Sequence, residues 1–143
     1  MASIEEGLRD KLVAAGLGTF EALTGWSIHI GREPASPDSA IIIARTGGTP
    51  PDPKWLLDFP TFQIRVRGAK GNYKTAEIQA RKVKDLLLGI ASETITGDIW
   101  VSITMQSDVG FMGYDANERP NFTANFRMII EPATPTPTNR EPI

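Results

Sequence analysis

The sequence predicts an α+β fold: a mostly antiparallel sheet with two helices packed on one face, a long Pro-rich loop, and a disordered Pro/Thr-rich C-terminal tail. Three observations predict it. Two segments repeat apolar residues at steps of three and four, the mark of a one-sided helix. Several others are apolar at alternate or successive positions, as strands are. Their order along the chain is helix, two strands, loop, strand, helix, then two or three strands, which favours helices on one face of a single sheet.

The first helix is expected over residues 4–15. Ser3 and Glu6 have the spacing of a capping box, Ile4, Leu8, Leu12 and Ala15 form an apolar stripe, and Gly16 and Gly18 supply the stop. "WSIHIG" alternates Trp26, Ile28 and Ile30 against Ser27 and His29, a half-buried strand, whereas "AIIIA" at 40–44 is apolar on both sides and reads as a central one. Pro34 and Pro37 separate the two.

Residues 46–60, "TGGTPPDPKWLLDFP", carry prolines at 50, 51, 53 and 60 and are expected to form a long loop without regular structure. Trp55, Leu56, Leu57 and Phe59 make that loop unusually apolar. It either folds back over the core or offers a sticky surface to a partner. The strand "FPTFQIRVRG" at 59–68 then places Phe62, Ile64 and Val66 on one side and Gln63, Arg65 and Arg67 on the other.

Asn72 is positioned to cap a second helix with Tyr73, Ala76, Ala80, Val83, Leu87 and Ile90 on its buried stripe. Its opposite face holds Lys74, Glu77, Arg81 and Asp85, where Glu77–Arg81 and Arg81–Asp85 are i,i+4 pairs of opposite charge. Two strands follow, "DIWVSITMQ" and "NFTANFRMII", with a short strand at 109–114 and a turn at 115–120 between them. On the helix-free face Gln63, Arg65 and Arg67 line up with Ser27, His29, Ser102, Thr104, Gln106, Thr123, Asn125 and Arg127. Residues 1–131 read as one domain; residues 132–143, with four prolines and no apolar period, read as a flexible tail.

The bulk numbers narrow the function. A length of 143 residues suits one core, and a net charge of −2 argues against a surface built throughout to hold DNA by counterion release. There is no cysteine, which excludes disulfides, thiolate metal sites and thiol nucleophiles. No apolar stretch approaches the roughly 20 residues that cross a bilayer, so no membrane partner is expected.

Catalytic and metal motifs fail on inspection. His29 is the only histidine and lies in no known nucleophile motif. "DANERPNF" starts like a calcium loop but places Arg119, Pro120 and Phe126 where a ligand, a glycine and an acid are needed. "RGAKGNYKT" lacks the glycine spacing and the Gly-Lys-Ser/Thr ending of a phosphate loop. Asp108 and Asp115 are the weak candidates for an acid/base pair in a small hydrolase. No enzyme activity and no cofactor are expected.

"FQIRVRG", the helix containing Tyr73 and Ala76, "MQSD" at 105–108, "GYD" at 113–115 and "RPNFTANFRMI" together resemble the minor capsid and tail terminator proteins of long-tailed bacteriophages, over roughly residues 20–132. The resemblance implies a virion component assembled in the host cytoplasm: a small α+β subunit forming a ring, commonly a hexamer, that caps the tail tube and joins it to the head. Implied partners are further copies of the chain, the tail tube protein, a head-completion or neck protein, and phage DNA in passage. A different neck or minor capsid role and a small nucleic-acid-binding module are the alternatives.

Under this resemblance the expected interface residues are Trp55, Leu56, Leu57 and Phe59 of the apolar loop, Arg65 and Arg67, the helix-face residues Arg81 and Asp85, and Arg127. Arg65 and Arg67 have three readings: a solvated sheet face, a subunit contact, or a passing touch on DNA phosphate. Subunit contact is preferred, because the planar guanidinium bonds a carboxylate at two points and a ring demands extensive contact surface. No aromatic platform shares their strand face, which disfavours a dedicated nucleic-acid binder.

Overall fold

A computed structural model describes residues 3–143. Helix α1 spans Ile4–Ala14 and is closed at its start as expected: Glu6 N donates to Ser3 Oγ at 3.2 Å, and Ser3 N donates to Glu6 Oε1 at 3.0 Å. Helix α2 spans Tyr73–Leu87, with Thr75 N donating to Asn72 Oδ1 at 3.2 Å. Ile4, Leu8 and Leu12 of α1, and Ala76, Ala80, Val83 and Leu87 of α2, are buried against one face of the sheet, as their spacing requires.

The strands are β1 (Thr19–Phe20), β2 (Ser27–Ile30), β3 (Ala40–Thr49), β4 (Phe59–Arg67), β5 (Ala91–Ile95), β6 (Asp98–Met105), β7 (Gly110–Tyr114) and β8 (Pro120–Glu131). Their order is β1-β2-β3-β4-β8-β6-β5, with β7 also paired to β8. β8 is the organising strand. One edge holds β4, from Thr61↔Arg127 to Arg67↔Asn121; the other is divided between β7, against Pro120–Thr123, and β6, against Phe126–Glu131.

The core lies between this face and the helices. Ile28, Ile41, Ile43, Phe62, Ile64, Val66, Ala124, Phe126 and Met128 alternate inward from four neighbouring strands, and the rings of Phe62 and Phe126 stack with centroids 5.0 Å apart. Each fully covered Leu, Ile or Phe contributes about 1.5–3 kcal/mol relative to exposure. Gly7 of α1 is a close-approach position: a Cβ there would come within 2.7 Å of the Trp100 indole.

Four expectations need correction. The sheet is mixed, because β1–β2 and β2–β3 are parallel while the remaining pairings are antiparallel. A parallel neighbour requires a crossover, and residues 31–39 provide it by passing over the helix-free face, so that face is not left fully open. Second, the irregular loop is shorter than expected, since β3 continues to Thr49 and β4 begins at Phe59. A bulge between Arg45 and Gly47, with Gly47 and Gly48 at φ 98° and 136°, carries β3 onward. Pro60 fits into β4 opposite Gly48 because pairing with β8 begins only at Thr61, so its missing N–H breaks no bond there.

Third, α2 stops at Leu87 and is followed by β5, which pairs with β6 through a turn with Thr96 and Gly97 at φ 49° and 91°. Fourth, the Pro/Thr tail expected to be mobile returns to the body. Leu56 N donates to Glu141 O and Glu141 N donates to Lys54 O, both at 2.8 Å. No helix is long and apolar enough to cross a membrane among the described residues.

Candidate assembly surfaces

The helix-free face is built around two buried arginines. Arg67 alternates to that side of β4 beneath the crossover loop: Nε donates to Asp38 O at 2.9 Å, Nη2 to Pro37 O at 2.8 Å, and Nη1 to Glu33 Oε1 at 3.1 Å. Arg119 enters from the turn before β8, donating to Asp115 Oδ2 at 2.8 Å and to Ala35 O at 2.8 Å. Both guanidiniums are therefore enclosed by loop carbonyls and carboxylates, the arrangement that lets a buried charge be tolerated. Of the two β4 arginines expected at a partner contact, Arg67 is fully covered within the subunit, whereas Arg65 is half-exposed and reaches Glu33 Oε2 at 3.2 Å. The surface contribution of this strand narrows to Arg65. Burial and the Arg67 charge hold His29 below the ordinary imidazole range, with Glu21 opposing them.

A second surface is the tip of the β3–β4 hairpin with the returning tail. The apolar loop folds back in part: Leu56 is buried, Leu57 and Phe59 are half-buried, and Trp55 is exposed with Lys54 Nζ 4.8 Å above its ring. Arg140 fixes the tail there, its guanidinium donating to Trp55 O, Leu57 O and Asp58 Oδ1, the last at 2.7 Å. Asp58 is itself bridged to β8 through two backbone bonds with Ile130. On α2, Arg81 pairs with Glu77 at 2.8 Å; Asp85 and, on β8, Arg127 are exposed and have no ion pair among the described residues.

A third surface is a sheet edge, a kind of patch expected from the sequence, whose particular residues were not singled out there. Among the described residues β7, "GFMGY", pairs only with β8, and its other edge has no strand partner. Phe111, Met112 and Tyr114 are exposed there, and Tyr73 of α2 joins them with its ring 4.9 Å from Phe111. Neither a charge nor a proline lies in this edge; its five-residue length and a bulge between Phe111 and Gly113 are what interrupt it. That composition was the available signal. Beneath β7, on the helix-free side, Asn121 Oδ1 is buried without a hydrogen-bond partner among the described residues, in a shallow groove with Met112, Tyr114, Gln63 and Arg65. At the opposite end of the sheet, Phe20 and Val13 are partly exposed and Leu23 is 91% exposed.

The groups considered for catalysis serve local structure. Ser27 Oγ and His29 Nε2 lie 2.6 Å apart, but Ser27 is fully buried, which leaves no approach for a substrate. Asp108 is held below the usual carboxylate range by Val109 N and then Lys84. Burial alone would raise Asp115, yet bonds from the Arg119 backbone and side chain and from Asn117 N outweigh it and lower it. An acid in general acid–base work is tuned in the other direction. No group of three or more potential metal ligands occurs among the described residues.

Three comparisons bear on this geometry. A family model described as bacteriophage tail terminator protein matches residues 11–132. A chain from the virion of a native gene transfer agent particle has a similar fold, with a TM-score of 0.71 at 18% identity, covering 90% of this chain and 95% of that one. No curated protein matches the sequence.

Proposed function

The chain belongs to the bacteriophage tail terminator family, a structural component of the phage tail, and from that membership we propose that copies of it close into a ring, a hexamer, which caps the tail tube and joins it to the head. The family match carries this reading: it runs across α2 and all eight strands, the whole framework that presents the surfaces described above. A ring needs two unlike patches per subunit, and this fold holds exposed apolar residues beside β1 and, separately, on β7.

In this reading the partners are neighbouring copies, the tail tube protein and a head-completion or neck protein, and the chain performs no catalysis. Trp55, with the half-buried Leu57 and Phe59, and Arg65, Arg81, Asp85 and Arg127 supply contact surface; Leu56 supports the loop from within. DNA passes without being gripped, consistent with a near-neutral charge and cations that are mostly paired internally. Light scattering followed by electron microscopy with tail tubes supplied tests it. The expected result is a mass several times 15.6 kDa and density at tube ends. A protein that stays monomeric and never joins tubes is not a terminator.

A further inference from the structure

We propose that the C-terminal arm is exchanged between neighbours: residues 139–141 of one copy seat in the cleft formed by residues 54–58 of the next. This rests on the ring reading above and names the segment that links adjacent copies.

The occupant is already on view, because each chain fills its own cleft. Glu141 lies beside Trp55 as in a parallel pair of strands, with Leu56 N donating to Glu141 O and Glu141 N to Lys54 O. The Arg140 guanidinium adds its bonds to Trp55 O, Leu57 O and Asp58 Oδ1. Strand addition of this kind draws affinity from the main chain and specificity from a side chain. The cleft keeps its shape by bonds of its own. Asp52 Oδ1 accepts from Lys54 N at 2.8 Å and from Trp55 N at 2.9 Å, Leu56 is buried, and Asp58 is paired with Ile130. A preformed receptor costs little to refill.

The arm, by contrast, is held weakly and against its own preference. Its contacts are hydrogen bonds at a partly exposed site, each worth little net in water, and Ile143 stays 68% exposed. Ala133 N donates to Asp98 Oδ1 at 2.8 Å and marks where the arm leaves the body. Among the described residues, 134–138, "TPTPT", form no hydrogen bond to that body. Ile130 and Arg140 both bind Asp58, so the stretch between them turns back to where it began. A Pro-rich linker prefers to be extended at about 3.1 Å per residue, and the path from Ala133 to Arg140 then spans roughly 20 Å. That is about the width of four paired strands, enough to cross onto an adjoining subunit. Exchange keeps every contact in the cleft and releases the turn. It also meets the ring's demand for two unlike patches, arm and cleft, and gives each copy one neighbour on either side.

The chain has no cysteine, so introduced thiols pair without background. Trp55 and Glu141 are register partners, within disulfide reach when the arm is seated. Trp55→Cys subunits and Glu141→Cys subunits, mixed with tail tubes and mildly oxidised, are expected to give covalent dimers, since only an arm seated in another copy joins the two positions. Adding Arg140→Ala to the Glu141→Cys subunit is expected to cut their yield about tenfold. Particles of ring mass without dimers overturn the exchange and leave the ring standing. Dimers that persist undiminished after Arg140→Ala, or that form from Trp55→Cys alone, report collision and refute the seated arm. A natural protein that remains at 15.6 kDa with tubes supplied overturns the ring reading, and the exchange with it.

Discussion

Arg67 Nη1 lies 3.1 Å from Glu33 Oε1, and that contact joins a fully buried guanidinium on β4 to a crossover loop otherwise tied down by carbonyls. Replacing Arg67 by Ala strands Pro37 O and Asp38 O and frees the loop. The expected loss is about 1–3 kcal/mol in urea unfolding, the scale for leaving hydrogen-bonding groups without their partner, because the Glu33 carboxylate left behind is itself exposed. Arg67→Lys should recover little, since one ammonium cannot reproduce the planar fork. A near-neutral Arg67→Ala would show that the loop holds without it.

The Asp58–Arg140 pair predicts a modest but specific coupling. Both side chains are partly exposed, so solvent screens them, and a double-mutant cycle with Asp58→Ala and Arg140→Ala should return about 1 kcal/mol or less. Hydrogen exchange is the sharper readout. Arg140→Ala should speed exchange at the Leu56 and Glu141 amides, which bond across the loop and tail, and leave β8 protected.

Gly48→Ala should destabilise the hairpin. Gly48 has φ 136°, a conformation that side-chain-bearing residues rarely adopt, and a methyl group there would collide with the Phe59 carbonyl. A cost of about 1–3 kcal/mol is expected, visible as a lower melting temperature. An unchanged midpoint would mean that the bulge relaxes freely.

Asp115 sets a pH dependence. Its folded carboxyl titrates below the ordinary 3.8, so its charged form contributes stability that is complete above that value and fades as pH falls through the lowered one. The stability advantage of the natural protein over Asp115→Asn should therefore shrink on acidification below 3.8. An advantage that stays constant across that window would contradict the assignment.

The helices and long strands were legible because their signals are local. Ser3–Glu6 and Asn72–Thr75 close helix starts within one turn, and the alternation from Phe62 to Val66 fixes which face is buried. What was hidden depends on contacts distant in sequence. Arg67 looked like a surface residue because alternation assigns it to the helix-free side, and nothing local announces that residues 33–38 will cover it. β1 is too short to show a period, and the tail's return depends on Arg140 meeting carbonyls more than eighty positions earlier. The loop's divided fate, Leu56 inward and Trp55 outward, left no mark in composition.

β8 joins β4, β6 and β7, yet it follows all of them in the chain. During synthesis on the ribosome the earlier strands emerge with a vacant seam between them, and the sheet has no centre until β8 clears the exit tunnel. The fold is therefore complete only after nearly the whole domain has been translated.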